Sequence, residues 1–244
     1  MKKYLVCSLL MIFNICFGAI ASAQSIDEQL LNKKQQSIIM ISAFTAQGDL
    51  ENLKVALNKG LDSGLTINQI KEVLVQMYAY AGFPRSLNGL NTFMEVLQER
   101  KEQGIKDVEG AQASPVNPDR DRLAIGTSNQ TQLVGSKVTG KVYEFAPIID
   151  TFLKEHLFGD IFERDILTYQ ERELATVAAL AGIGNVNNQL KSHMKVSMNN
   201  EVTAKQLQAI VDILHDNVGT KIGENAQMVL NQVLAKSRCK MRNI

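Results

Sequence analysis

Residues 168–203 read TYQERELATVAALAGIGNVNNQLKSHMKVSMNNEVT, and this stretch carries two consecutive helix signals. Thr168 followed by Glu171 is a capping box, in which two side chains bond each other's backbone N–H at the start of a helix. Apolar residues then recur at helical spacing, and the pattern resumes around Leu190 and Met194. Similar helical patterns extend over most of the chain on both sides. We therefore expect an all-α helical bundle.

The first half of the chain gives the same kind of signal. Residues 27–46 carry a broad apolar face at helical spacing. Thr66 with Gln69 forms another capping box, and residues 86–100 continue the helical pattern. This half is therefore predicted to be helical as well.

An internal repeat relates the two halves. Thr203 with Gln206 repeats the capping box at Thr66, which sets an offset of 137 residues (203 minus 66). Further positions coincide at that offset without a gap: Leu53-Lys54 with Leu190-Lys191, Gly82 with Gly219, and Asn88 with Asn225. Shared helical periodicity would not match the glycine, the asparagine and the cap together, so we infer a duplication.

The duplication divides the chain into four parts. A first helical repeat is predicted at 24–100 and a second at 145–244. Residues 101–144 are rich in glycine, proline and polar residues, which indicates a linker. Within it we expect a short hairpin between Leu133 and Val142.

Residues 1–23 have the features of a signal peptide. Lys2-Lys3 supplies the positive start, residues 4–20 are an uncharged apolar run, and Ala21-Ser22-Ala23 is a small-x-small cleavage site. Cleavage would give a mature protein from Gln24, exported to a bacterial periplasm and no longer attached to the membrane. The alternative is a retained membrane anchor, because the apolar run approaches spanning length.

The composition narrows the classes of partner. With 26 Lys+Arg against 25 Asp+Glu, the chain offers no electrostatic reason to bind nucleic acid or an anionic membrane. Signal cleavage would remove Cys7 and Cys16, so that only Cys239 remains, without an internal disulfide or a CxxC dithiol. Neither nucleic acid nor a membrane surface is therefore expected as a partner.

Several motifs together resemble the carboxymuconolactone decarboxylase family. Residues 145–164, FAPIIDTFLKEHLFGDIFER, are similar to the lead-in of that family, and residues 168–180 to its REL-ATVAAL helix. Residues 189–203 are similar to its LKxHxxxALNNGVT segment, and residues 80–84, YAGFP, with Asn88 to its YAGFP turn. The resemblance implies a duplicated AhpD-like helical bundle, assembled as a homo-oligomer, a trimer or a hexamer. It also implies a lyase that works without a cofactor.

The resemblance makes Glu173 and His193 the candidate catalytic pair. An acidic residue lies near the site on the family's REL-ATVAAL helix, and His193 occupies the position of the LKxH histidine. From the residues alone, Glu173 could instead be a first-turn carboxylate that interacts with the helix dipole, and His193 a hydrogen-bonded structural residue. The equivalent positions of the first repeat hold Gln36 and Ala56, so any chemistry is expected in the second repeat.

Arg164 and His215 are candidate substrate-binding residues. Arg164 could hold a substrate carboxylate in bidentate fashion, or could form an exposed ion pair with Asp160 or Glu163. His215 occupies the repeat position of Tyr78 and could line the same pocket or serve packing. The three histidines form no metal-binding pattern, so no metal site is predicted.

Three functions remain open at the level of the sequence. The first is cofactor-independent decarboxylation, or related lactone chemistry, of a small carboxylated substrate by the Glu173–His193 pair. The second is a non-catalytic exported binding or assembly protein. The third, a thiol reductase or peroxidase of the AhpD-like type, is disfavoured because Val186 and Gln189 occupy the positions of its two cysteines.

Overall fold

The computed structural model describes residues 30–241, with side chains as far as residue 235. The predicted signal peptide and the side chain of Cys239 lie outside the described residues. The first repeat forms α1 (Lys33–Gln47), α2 (Leu50–Asp62), α3 (Ile67–Gln76), α4 (Tyr78–Ala81) and α5 (Phe83–Glu102). The stretch between the repeats and the start of the second form α6 (Arg122–Val134), α7 (Lys141–Phe145), α8 (Pro147–Phe152) and the π-helical segment π1 (Leu153–Ile161). The second repeat continues with α9 (Tyr169–Ile183), α10 (Asn187–Asn199), α11 (Ala204–Ile213), π2 (Leu214–Val218) and α12 (Thr220–Met241).

The regular secondary structure within residues 30–241 is entirely helical, which confirms the predicted all-α class. The duplication is confirmed by the helix boundaries. When α2 is shifted by 137 residues, it coincides at both ends with α10, and α3 coincides in the same way with α11. The two repeats therefore share their helix order as well as their sequence.

Capping boxes set the start of four helices. The three predicted ones are present, at Thr66, Thr168 and Thr203. A fourth, at Asn32 with Gln35, starts α1 and was not predicted. Each N-cap side chain bonds a backbone N–H that would otherwise have no partner, which contributes about 1 kcal/mol to helix stability.

Helices α1 and α9 lie at the centre of the fold and join the two repeats. A Cβ on Gly182 of α9 would lie 2.9 Å from the carbonyl oxygen of Ala43 in α1, so only glycine permits this approach. Ile39 and Leu174 belong to a hydrophobic cluster that continues into the second repeat. The neighbouring residues of the same two helices belong to a cluster that continues into the first repeat. Each core is thus built from both repeats.

The stretch between the repeats is more ordered than its composition indicates. The hairpin expected between Leu133 and Val142 is wrong, because residues 122–134 form helix α6 and residues 141–145 form α7. Asp121 caps α6, Leu133 is buried in a third hydrophobic cluster, and α6 packs along π1. The glycine that suggested a loop, Gly126, instead permits this contact, since its Cβ would lie 1.6 Å from the carbonyl oxygen of Lys154.

Across residues 30–241, no helix combines the length and the apolar character needed to cross a membrane.

Candidate functional site

The structure brings Glu173 and His193 into direct contact. Nδ1 of His193, on α10, lies 2.9 Å from Oε2 of Glu173, on α9. The Glu173 side chain is 1% exposed and that of His193 is 19% exposed. The expectation that Glu173 decorates the first turn of its helix is wrong, because it lies beyond Glu171 in the next turn and faces the interior.

This contact gives the imidazole a defined orientation. A carboxylate can only accept hydrogen bonds, so Nδ1 of His193 donates to Glu173 and the neutral ring carries its proton on Nδ1. Nε2 is then left to exchange a proton with another molecule. The second carboxylate oxygen, Oε1 of Glu173, is buried without a hydrogen-bond partner in the described part of the chain. A buried acceptor without a partner costs about 1–3 kcal/mol of stability.

Tyr80, from helix α4 of the first repeat, lies against the imidazole. The rings of Tyr80 and His193 meet edge to face, with centroids 5.7 Å apart and planes at 85°. Burial of the hydroxyl raises the pKa of Tyr80 well above its usual value, the negative charge of Glu173 adds to this rise, and the nearby hydroxyl of Thr176 opposes it. The hydroxyl is therefore neutral at ordinary pH. The sequence placed Tyr80 in the YAGFP turn but gave it no role at the site.

Beneath this contact lies a buried ion pair between the repeats. Arg172 is fully buried, and its Nη2 donates to Oε1 of Glu72 over 2.8 Å. The same nitrogen donates to the carbonyl oxygen of Arg164, and Nη1 donates to Oε1 of Gln76 over 2.9 Å. Burial lowers the pKa of Arg172, while the hydrogen bond and charge of Glu72 act in the opposite direction.

Gln76 completes the polar contact between α3 and α9. Its Nε2 donates to the carbonyl oxygen of Arg172 over 2.9 Å and to the hydroxyl of Thr176 over 3.0 Å. We call the whole set the inter-repeat polar cluster: Glu72, Gln76, Tyr80, Arg172, Glu173, Thr176 and His193. Glu72 and Gln76 lie four residues apart on one face of α3, and Tyr80 follows on α4, which packs against α9.

Arg164 pairs with the carboxylate of Glu72, which also binds Arg172. Its Nε lies 2.9 and 3.0 Å from the two oxygens of Glu72, and its side chain is 45% exposed. The ion pair considered from the sequence, with Asp160 or Glu163, does not form. Glu163 accepts from Asn129 instead.

Asp160 is occupied by other basic residues. It pairs with Arg120, Arg122 and His156. Partial burial of Asp160 opposes its ionisation, but hydrogen bonds from Arg122 and His156 outweigh this effect and lower its pKa. The Asp160 carboxylate therefore stabilises the contact between α6 and π1, and it does not pair with Arg164.

His215 lies in a different environment from His193. Its Nδ1 is 2.7 Å from Oδ1 of Asp216, and its side chain is 45% exposed. It lines an open depression of about 460 Å³ between α11, π2 and α12, to which neither Glu173 nor His193 contributes. None of the contacts found for His215 within the described residues involves that pair.

The corresponding place in the first repeat contains no titratable pair. Gln36 donates from Nε2 to the carbonyl oxygen of Leu31 over 2.9 Å, and Ala56 is buried in the core. Within residues 30–235, no group of three or more His, Cys, Asp or Glu side chains is arranged to hold a metal ion.

Comparison with known proteins identifies a protein family that this chain matches. The sequence profile of the carboxymuconolactone decarboxylase family matches residues 11–93 and 149–222, more than half of the chain. An uncharacterized protein of Methanocaldococcus jannaschii is 29% identical over 66 residues, which are 27% of this chain and 62% of that protein. The 4-carboxymuconolactone decarboxylase of Acinetobacter baylyi is 26% identical over 97 residues, 38% of this chain and 72% of that protein. The chain thus spans less than two thirds of the archaeal relative.

Proposed function

Because the chain belongs to the carboxymuconolactone decarboxylase family, as its motifs predicted, we propose that it is a cofactor-independent carboxy-lyase. Its substrate class would be a small carboxylated lactone or a related unsaturated acid. The observation that carries the proposal is the 2.9 Å contact between His193 and the buried Glu173. The similarity to a relative named 4-carboxymuconolactone decarboxylase supports it.

The chemistry needs few groups. The bond between the substrate carbon and its carboxylate breaks, carbon dioxide leaves, and the bonding electron pair moves into the unsaturated lactone. The protonated imidazole of His193 then donates its Nε2 proton to the resulting carbanion-like centre and recovers a proton from water. Glu173 stabilises the charged imidazole through Nδ1 and keeps Nε2 directed away from itself.

Arg164 remains our candidate for binding a substrate carboxylate. Its Nε is held by Glu72, which leaves the two Nη groups at the end of a partly exposed side chain. Two parallel N–H donors match the geometry of a carboxylate. His215 lines a separate depression, so any part it takes in binding lies away from the Glu173–His193 pair.

Export and self-association belong to the same proposal. The signal-peptide pattern of residues 1–23 supports a periplasmic enzyme, which would meet a substrate that enters the periplasm. Exposed apolar side chains on α7 and α8, among them Phe145 and Phe152, support a homo-oligomer, a trimer or a hexamer.

A second candidate is a non-catalytic binding protein. One observation favours it, namely that none of the three open depressions described in residues 30–235 is lined by Glu173 or His193. In that case the pair would be a buried structural hydrogen bond.

An ultraviolet assay separates the two candidates. The mature protein from Gln24 would be incubated with 4-carboxymuconolactone beside the variants His193→Ala and Glu173→Gln. His156→Gln is the matched control, since His156 also contacts a carboxylate at 2.9 Å but is half exposed. The lyase proposal expects turnover by the wild type and the control, with a loss of about 100-fold or more in the two site variants. Absence of turnover in all four proteins would contradict the lyase proposal and favour a non-catalytic binding protein.

A further inference from the structure

We propose that Tyr80 of the first repeat is a positioning residue for His193, so that both repeats build the one site of this chain. The inference rests on the proposed function in treating His193 as the reacting group. Neither the family match nor the relatives assign a role to this tyrosine.

A single hydrogen bond does not fix the orientation of the imidazole completely. The bond from Nδ1 of His193 to Glu173 fixes one atom of the imidazole, but the ring can still pivot about that contact. The ring of Tyr80 stands at 85° to the imidazole, with the centroids 5.7 Å apart. This lies within the range favoured for edge-to-face aromatic pairs, which is about 4.5–7 Å. The tyrosine ring therefore fixes the plane that the hydrogen bond leaves open.

Tyr80 is itself fixed relative to helix α9, which carries Glu173. Its hydroxyl is buried near Thr176 of α9. Two residues of the preceding helix α3, Glu72 and Gln76, are bound to Arg172 of α9. The tyrosine and the carboxylate that act on His193 thus have a common support.

The neutral hydroxyl suits a positioning role. Because burial keeps the phenol protonated, Tyr80 adds no charge that would compete with Glu173 for the imidazole. A buried hydroxyl is also poorly placed to meet a substrate. The part of Tyr80 that affects His193 is therefore its ring.

The internal repeat gives an independent argument. At the 137-residue offset, Tyr80 corresponds to Asn217, and the contact of α4 with α9 corresponds to that of π2 with α1. Glu173 and His193 correspond to Gln36 and Ala56, so the equivalent place lacks all three side chains. The three residues occur together in one place and are absent together from the other, as expected of a functional unit.

Two substitutions in the mature protein from Gln24 test the role of the ring. Tyr80→Phe keeps the ring and removes the hydroxyl, whereas Tyr80→Leu removes the ring. We expect kcat of the phenylalanine variant to stay within about threefold of wild type and that of the leucine variant to fall about 10- to 100-fold, the cost of a misplaced reacting group. KM should change little in either variant.

Nuclear magnetic resonance of the His193 ring supplies a readout that needs no turnover. The ring resonances of His193 are assigned by their loss in His193→Gln. Its ring-proton shifts should stay near wild type in Tyr80→Phe, but in Tyr80→Leu they change through loss of the tyrosine ring current alone, so the nitrogen resonances decide the role of the ring. The imidazole nitrogen resonances should report an Nδ1-protonated ring in wild type and a mixture of tautomers in Tyr80→Leu. Circular dichroism melting of each variant checks that the helical fold persists.

Two results would overturn the inference. A phenylalanine variant as inactive as the leucine variant would mean that the hydroxyl acts on the substrate. An imidazole in Tyr80→Leu that stays protonated on Nδ1 alone, as in wild type, would mean that the ring does not orient the imidazole. If wild type shows no turnover of 4-carboxymuconolactone, the proposed reaction fails, but the resonances still decide the positioning role.

Discussion

Glu72→Gln tests the buried ion pair that joins the repeats. The substitution keeps the size of the side chain and removes the charge opposite Arg172, which is fully buried, while Glu72 itself is 3% exposed. Removing one partner of a buried pair leaves an uncompensated charge and costs about 3–5 kcal/mol. For a chain of this size each kcal/mol lowers Tm by about 2–4 °C, so Tm should fall by roughly 6–20 °C.

Thermal unfolding followed by far-ultraviolet circular dichroism measures this effect. Glu99→Gln is the matched control, because Glu99 pairs with Lys54 on the surface, where the two side chains are 47% and 39% exposed. Such surface pairs contribute about 0.2–1 kcal/mol, so the control should melt within a few degrees of wild type. The double variant Glu72→Leu/Arg172→Met removes both charges and should recover most of the loss.

Equal melting temperatures for Glu72→Gln and Glu99→Gln would refute this reasoning. They would mean that Arg172 finds another partner or reaches water without Glu72. A double variant that melts as low as Glu72→Gln would also contradict it, since the cost would then come from lost packing rather than from an unpaired charge.

Three further predictions concern the remaining contacts. The pKa of Asp160 is lowered in the folded protein, so the unfolded chain binds its proton more tightly and the stabilisation is lost as pH falls below about 4. In Asp160→Asn this part of the acid-unfolding curve should flatten. An unchanged curve at acid pH would count against the ion pairs of Asp160. Gly126→Ala should lower Tm sharply because its Cβ would overlap a backbone carbonyl. Gly140→Ala should melt near wild type, because its Cβ meets only a side chain at 3.7 Å. Similar melting temperatures for the two variants would show that α6 and π1 do not pack as described. Asn32→Ala removes the cap of α1 and should lower the free energy of unfolding, measured with urea, by about 1 kcal/mol. Asn32→Asp is the control that keeps the cap. Equal destabilisation of both variants would assign another role to this side chain.

The sequence predicted local structure well because local rules determine it. Capping boxes at Thr66, Thr168 and Thr203 each start a helix, since the bonds involved join residues three apart. The repeat offset likewise required only comparison of the chain with itself. Composition misled the prediction in residues 101–144, where Gly126 permits a close helix contact rather than a turn.

The candidate site was only half predictable. Glu173 and His193 could be paired through a family resemblance, because both lie in one continuous stretch of motif. The residues around them are contributed by the other repeat, about 100 positions away in the chain. No periodicity or spacing within either helix indicates that Gln76 would meet Thr176 or that Tyr80 would meet His193. Such contacts depend on how the repeats pack, which local rules do not determine.

The inter-repeat polar cluster accounts for the precision of that packing. Apolar contacts between α1 and α9 stabilise the pairing of the repeats, but they tolerate small shifts along the helices because they are not directional. Hydrogen bonds from Arg172 to Glu72 and Gln76 require donors and acceptors within about 3 Å, which permits one register. Tyr80 follows directly after α3, on α4, so this register also affects its distance from His193. The buried Arg172 therefore contributes to the geometry at the imidazole through the packing of the two repeats.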